Sequence, residues 1–327
     1  MCAAPLTALT PWWTANGDFG NACATGYNLT TAPLRARGGV VYYGAADSVC
    51  AVDASGIRTV ASTVSGDVVG GIWLDNDRVI YADGVAVYAV PISGGDPAVL
   101  FSFPVDARPG QYDYDGTFFY WSSELIGISR RSLAADGVIE TIPLDAFGGR
   151  QMRVIAGRMD SMGVDSVWRS PLAGGAAATI YVSMYGDLLA SAGDFTYVRY
   201  ASNSTTAGGL DDLAYDLGVI DSRGVVDRAW TGNVPRISPG TASAHGDTVY
   251  VGGRLHYHDN AVFVGVVAIA AGARSGQVIG CSPTQLAPNR EWATVLDTAA
   301  DDTGVYALVN RTDVVPTGYA IVRFPLP

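Results

Sequence analysis

A chain of 327 residues, 49% hydrophobic and 16% charged, is large enough for a sizeable core, and closed all-β architectures reach this length as one domain. A net charge of -11, with no lysine among 20 basic residues, excludes Schiff-base, lysine general-base and P-loop chemistry and argues against nucleic acid as the main partner. Forty glycines with many Tyr, Val and Thr favour strands and turns over helices. No apolar run reaches the ~18 residues a spanning helix needs, so no transmembrane segment is expected.

In chain order, residues 4–10 read as a short strand. Residues 11–37 follow as the longest connection and carry Trp12, Trp13, Asp18, Phe19 and Tyr27. An aromatic pair on a loop is a stacking platform for sugar or protein, because flat rings give large contact at small entropic loss. The same two rings would also serve as an apolar plug beside the amino-terminal strand. Cys2, directly after the first Met, is where a mature bacterial lipoprotein would carry its lipid anchor. Cys2, Cys23, Cys50 and Cys281 include no C-x-x-C pair, so a zinc site is not expected. A Cys23–Cys50 disulfide would tether the long connection to the first repeat. The missing lysine reads as codon usage of a high-GC bacterium, and the expected location is secreted, periplasmic or outer-surface.

From Arg37 onward two hairpin types alternate. The first has a tight polar turn followed by a β-branched and aromatic strand. Arg37-Gly38-Gly39-Val40-Val41-Tyr42, Asp75-Asn76-Asp77-Arg78-Val79-Ile80-Tyr81 and Tyr114-Asp115-Gly116-Thr117-Phe118-Phe119-Tyr120 are examples. Asp77, Asp115, Asp194, Asp247 and Asp302, together with His245, fall in such turns, where Asp, Asn and Gly cap the backbone or take positive φ. Repetition at one position argues for turn chemistry over a metal cluster. The second type has first strands near Val49, Val87, Ile128, Val167, Leu217, Val266 and Ala320, spaced roughly 40 to 50 residues apart, the range of propeller blades. Seven units of four strands predict an all-β, seven-bladed β-propeller in a single domain, residues 1–327. In the fourth unit the innermost strand is placed at Leu144–Phe147 with Gly148-Gly149 as its turn; without that strand the count is six. Ile321–Pro327 reads as the first half of an outer hairpin with no chain left for the return. Residues 4–10 supply the missing strand and close the last blade.

Phe119-Tyr120-Trp121-Ser122-Ser123-Glu124-Leu125-Ile126-Gly127-Ile128-Ser129-Arg130-Arg131-Ser132-Leu133 in the third unit resembles the YWTD-like repeats of bacterial propellers, which implies the propeller architecture. By blade number the chain is also similar to propeller lyases of the virginiamycin B lyase kind, a resemblance that implies a His, Glu and metal cluster.

Candidate ligand-binding residues gather on the connections between blades and on loops at the same end: Trp12, Trp13, Arg108, Tyr112, Tyr185, Arg254, Tyr257 and Trp292. Arginine with Tyr and Trp suits carboxylates, sugars and peptides. Arg254-Leu255-His256-Tyr257-His258-Asp259 puts two imidazoles on one side of an extended segment, so His256, His258 and Asp259 form a candidate divalent-metal set; no organic cofactor is implied. Two functions follow. One is a propeller that binds a carbohydrate, peptide or protein ligand through its loop-rich face. The other is a channel-mouth hydrolase or lyase, with His256 or His258 as base, Glu124 or Glu291 as acid partner and Arg290 or Arg254 neutralising an anionic substrate. No G-x-S-x-G elbow or complete Ser/His/Asp signature is present.

Overall fold

The structure, a computed structural model, describes residues 7–8, 13–14, 23, 33–105, 107, 109–123, 127–142, 151–155, 157–163, 166–173, 175–181, 186–201, 215–227, 236–256, 262–281, 294–311 and 318–326. Among them, strands form seven antiparallel sheets, each a simple meander, arranged in a ring. The chain is a seven-bladed β-propeller.

The first two strands, β1 (Thr7–Ala8) and β2 (Trp13–Thr14), belong to the last blade. Blade 1 follows with β3 (Arg35–Arg37), β4 (Val40–Ala45), β5 (Ser48–Asp53) and β6 (Gly56–Ser62). Blade 2 has β7 (Gly71–Asp75), β8 (Arg78–Ala82), β9 (Ala86–Pro91) and β10 (Ala98–Ser102). Blade 3 has β11 (Pro109–Tyr114), β12 (Phe118–Ser123), β13 (Gly127–Ser132) and β14 (Ile139–Ile142). Blade 4 has β15 (Gln151–Ile155), β16 (Arg158–Met162), β17 (Ser166–Pro171) and β18 (Ala178–Tyr181). Blade 5 has β19 (Asp187–Ala192), β20 (Phe195–Ala201), β21 (Tyr215–Ile220) and β22 (Val226–Asp227). Blade 6 has β23 (Arg236–His245), β24 (Thr248–His256), β25 (Val262–Ala270) and β26 (Gln277–Cys281). Blade 7 has β27 (Thr294–Asp301), β28 (Gly304–Arg311) and β29 (Gly318–Phe324).

The ring closes through the amino terminus. β1 pairs antiparallel with β29, Thr7 opposite Arg323 and Ala8 opposite Val322. β2 also pairs with β29, Trp13 opposite Tyr319. The stretch from 11 to 37, expected as loop, thus contains β2 and ends in β3, the innermost strand of blade 1. The third strand of every blade contains the residue from which the repeats were counted, from Val49 in β5 to Ala320 in β29. Blade 4 is the correction. Its innermost strand is Gln151–Ile155, not Leu144–Phe147, and its turn is at 156–157, since Ile155 lies opposite Arg158. Gly148-Gly149 looked like the stronger turn, but Met152 and Val154 are the residues with a buried face. The count of seven stands.

Six of the seven inner hairpins close with two residues between the last opposed positions, such as Arg37 with Val40, Asp75 with Arg78 and His245 with Thr248; in blade 3 the last opposed pair is Tyr114 with Phe119. Such turns match the strand twist when the loop residues take positive φ. Gly38 and Gly39 both do (φ 59° and 84°), and Asn76 is the non-glycine that does so elsewhere (φ 48°). Asp115 Oδ1 caps the turn of blade 3 by accepting from Thr117 and Phe118 N–H. In blade 7 that role belongs to Asp301, which accepts from Thr303 and Gly304, and not to Asp302. Asp302 instead pairs with His245 of the neighbouring blade at 2.8 Å, on the exposed rim.

The core is divided into seven clusters, one at each blade-to-blade interface. A sheet with two covered faces buries both sets of alternating side chains, which explains unbroken buried runs such as Val41 to Ala45 and Ser48 to Val52 in blade 1.

Candidate functional site

The seven innermost strands surround a channel of about 1040 Å³. Register places its side chains in levels. On each innermost strand one channel-lining residue lies opposite the residue seven positions later on the second strand. These are Arg35 opposite Tyr42, Trp73 opposite Ile80, Asp113 opposite Tyr120 and Arg153 opposite Asp160 in blades 1 to 4. In blades 5 to 7 the position holds the small residues Ala190, Ser243 and Ala299, opposite Tyr197, Tyr250 and Tyr306. All seven line the channel.

One level toward the loop-bearing end, polar side chains bond blade 4 to 5, 5 to 6, 6 to 7 and 7 to 1. Gln151 Oε1 accepts from Leu188 N–H (2.5 Å) while its Nε2 donates to Asp187 (3.1 Å). Asp187 pairs with Arg199, which also donates to the Gly240 carbonyl of blade 6 at 3.5 Å. Thr241 donates to Asp297 Oδ1 (3.2 Å), and Asp297 Oδ2 accepts Leu34 N–H (2.5 Å), bridging blades 6, 7 and 1. Asp113, at the level of Arg35 and Arg153, likewise bridges blades 3 and 4, accepting Val154 N–H at 2.6 Å. β-Bulges between Pro239 and Thr241 and between Val295 and Asp297 immediately precede two of these side chains. An extra residue at such a point re-aims the next side chain without moving the strand.

This belt uses the carboxylates and leaves the arginines. Asp113 accepts from Tyr114 N–H as well as Val154, and Asp297 accepts from Thr298 N–H as well as Leu34 and Thr241. Desolvation inside the ring raises the Asp297 pKa, and those bonds and Arg35 oppose it. Arg35 is lowered, first by burial and then by the Arg153 guanidinium, against the pull of Asp297 and Asp113. Among the described residues Arg35 and Arg153 each donate to a neighbouring backbone carbonyl alone, Leu34 O at 3.0 Å and Met152 O at 3.3 Å. A guanidinium has five N–H donors, so most of those of these two channel-lining residues have no partner among the described residues.

The residues singled out in the sequence fare unevenly. Tyr112 lines the channel, but its ring packs on Phe103 and Phe119 and its hydroxyl donates to the Asp83 carbonyl at 3.0 Å, a strut between blades 2 and 3. Arg254 is half-buried on β24 between β23 and β25. Trp13 and His256 are described by backbone alone, on β2 and at the end of β24. Trp12, Arg108, Glu124, Tyr185, Tyr257, His258, Asp259, Arg290, Glu291 and Trp292 lie outside the described residues. Among the described residues no group of three His, Cys, Asp or Glu side chains is placed to hold a metal, and no helix is long and apolar enough to cross a membrane. The Cys23–Cys50 disulfide is present, with Cα atoms 5.5 Å apart. Cys281 is also disulfide-bonded.

Sequence reasoning missed Arg35, Arg153 and Asp297. The available signal was the recurrent tyrosine of the second strand: counting back seven residues from Tyr42 reaches Arg35. In blade 4 that tyrosine is replaced by Asp160, which holds Arg169 in a two-pronged buried ion pair (2.8 and 2.9 Å).

No family model matches the chain, and no curated protein matches it. Solved structures match its fold. The Pan2 WD40 domain of Neurospora crassa is 10% identical, covering 98% of this chain and 96% of that one, with a TM-score of 0.61. The extracellular domain of the putative one-component system BT4673 from B. thetaiotaomicron is 10% identical over 97% of this chain and 39% of that one, TM-score 0.56. The computationally designed Ika8 protein is 12% identical over 90% and 96%, TM-score 0.52. At these identities the likeness is one of fold.

Proposed function

We propose that the protein is a recognition propeller that binds a carbohydrate, peptide or protein ligand non-covalently at its loop-bearing end. The observation that carries this reading is the asymmetry of the ring. The inner hairpins close tightly at one end, six of the seven in two residues, whereas the connections between blades and from second to third strands emerge at the other. Rigid scaffolds place variable binding residues on such connections. The sequence reading assigns its candidate aromatic and arginine residues to these connections and to loops at the same end. The neighbours in fold include a chain from a structure of the Mitotic Checkpoint Complex (14% identical, 99% of this chain and 96% of that one, TM-score 0.57), a propeller that is part of a complex. Disulfide bonds persist in oxidising compartments, which supports a secreted, periplasmic or outer-surface location.

The test is a glycan and peptide array probed with the purified chain, with metal analysis alongside. Ligand binding without turnover is expected, weakened about tenfold or more by Trp13→Ala, the effect of removing an aromatic anchor. Turnover of an arrayed polysaccharide, or a stoichiometric metal lost on replacing His256 or His258, would overturn the reading in favour of a channel-mouth hydrolase or lyase.

A further inference from the structure

One level of the channel carries an excess of donors that the fold itself does not satisfy. Arg35 and Arg153 stand at equivalent register positions in blades 1 and 4, on opposite sides of the seven-membered ring. Neither makes an ion pair among the described residues, and each has one backbone carbonyl as its acceptor. At the same level Trp73 Nε1 and Ser243 Oγ are buried with no hydrogen-bond partner among the described residues. The carboxylates that could have answered them, Asp113 and Asp297, already accept backbone N–H groups of their own and neighbouring blades. Ala190 and Ala299 leave space beside Ser243 on one flank of the channel.

We propose that Arg35 and Arg153 bind an oxyanion of the phosphate or carboxylate type inside the channel, with the Ser243 hydroxyl as a further donor. The four donor groups at this level offer no acceptor besides the hydroxyl oxygen, and the carboxylate beside them, Asp113, already accepts the N–H groups of Tyr114 and Val154, so the group they fit is one that brings acceptors of its own. Two guanidiniums brought together inside a ring repel, and an anion between them removes that repulsion while filling their forked donor pairs. Burial and the Arg153 charge depress Arg35 more than Asp297 and Asp113 raise it, in keeping with a level where positive charge is incompletely compensated. The site is independent of the loop-bearing end, since its residues belong to the innermost strands alone.

The test uses the full chain with its disulfides intact. Inorganic phosphate and, separately, glucuronate are titrated at constant ionic strength against chloride, followed by calorimetry and by melting temperature. Saturable one-to-one binding of at least one anion is expected, and the two arms tell phosphate from carboxylate. Arg153→Gln should weaken that binding about tenfold or more, the usual loss when a bidentate charged donor is removed. Ser243→Ala should weaken it by roughly two- to fivefold. Arg223→Gln, on the exposed turn between β21 and β22, should bind as the unaltered protein does. Absence of any saturable response to either anion beyond that to chloride overturns the proposal, as does unchanged affinity in Arg153→Gln. If that variant does not fold, judged by circular dichroism, Ser243→Ala decides, and unchanged affinity in the folded Ser243→Ala protein overturns the assignment of this level.

Discussion

The interface between blades 2 and 3 and the seam between blades 7 and 1 solve the same packing problem by different means. The first is aromatic: Trp73, Phe101, Phe103, Phe119 and Trp121 form one cluster, with ring centroids of Trp73 and Phe119 at 5.0 Å and of Phe103 and Trp121 at 5.4 Å. The second is mainly aliphatic, with Leu34, Val41, Leu308 and Ile321 around Tyr43 and Tyr306, and is fastened by specific bonds. Asp297 reaches Leu34 N–H across 263 residues of sequence, and Asp301 accepts Gly39 N–H at 2.9 Å. Cys23 lies in the same cluster, disulfide-bonded to Cys50 of β5, with its carbonyl accepting from the Tyr43 hydroxyl at 2.8 Å. The contrast follows from connectivity. Blades 2 and 3 are consecutive in the chain, so their approach is nearly free of closure entropy. Blades 7 and 1 are its two ends, and closure entropy growing as the logarithm of loop length sets that seam about 3 kcal/mol behind. Covalent and charged fastenings at the seam offset this difference.

The comparison can be broken from either side. Trp121→Ala, at a position 1% exposed, should destabilise by about 3–5 kcal/mol, as large-to-small changes in aromatic cores do, read by chemical denaturation. A loss below about 1 kcal/mol would mean that the aromatic cluster is not what joins blades 2 and 3. Cys50→Ser opens a disulfide of sequence separation 27 and should lose about 2–4 kcal/mol. Reductant should lower the melting temperature of the unaltered protein by more than that of the Cys50→Ser variant. Equal shifts in both would remove the disulfide from the account of the seam.

The smallest effect is expected at Asp301. Burial pushes its pKa up, but the bonds from Thr303, Gly39 and Gly304 outweigh that, and the net pKa lies below the ordinary carboxylate value of 3.8. A carboxylate depressed on folding stabilises the fold above its unfolded pKa, and that contribution is lost as pH falls through the lower folded value. Asp301→Asn should therefore cost about 1–2 kcal/mol at neutral pH, the range for removing a charged acceptor from backbone donors. It should also flatten the fall of melting temperature with acidification below about pH 4. An acid limb unchanged in Asp301→Asn would show that other carboxylates carry the seam's pH dependence. Asp297 has the opposite sign: its raised pKa means that ionisation at neutral pH opposes folding, so it works as a latch by geometry and not by charge.

Much of the architecture was legible because β-propellers repeat themselves. Gly and Asp recur where two-residue turns need them, and β-branched and aromatic residues recur where strands are covered on both faces. Strand-to-strand contacts within a blade are local, so each blade could be read without reference to the others, and the unfinished outer hairpin at Phe324 pointed to the amino-terminal strand. Blade 4 was misread because Gly148-Gly149 is a stronger turn signal than the true turn at 156–157, and the buried faces of Met152 and Val154 decided otherwise. The candidate sites were less legible. The loop residues were singled out by type, whereas the channel is built by level, and level depends on counting from seven turns at once and on where each bulge falls.

The amino-acid sequence by itself determined the seven-fold repeat, the closed ring and the residue type at every turn, because these depend on local backbone preference and on alternation within a strand. Only the tertiary structure decided which polar side chains meet at the centre. Arg35 and Arg153 are 118 positions apart and unremarkable in sequence. Closing the ring brings their strands to opposite sides of one channel, and the backbone bonds of Asp113 and Asp297 leave these arginines, among the described residues, with one backbone carbonyl each.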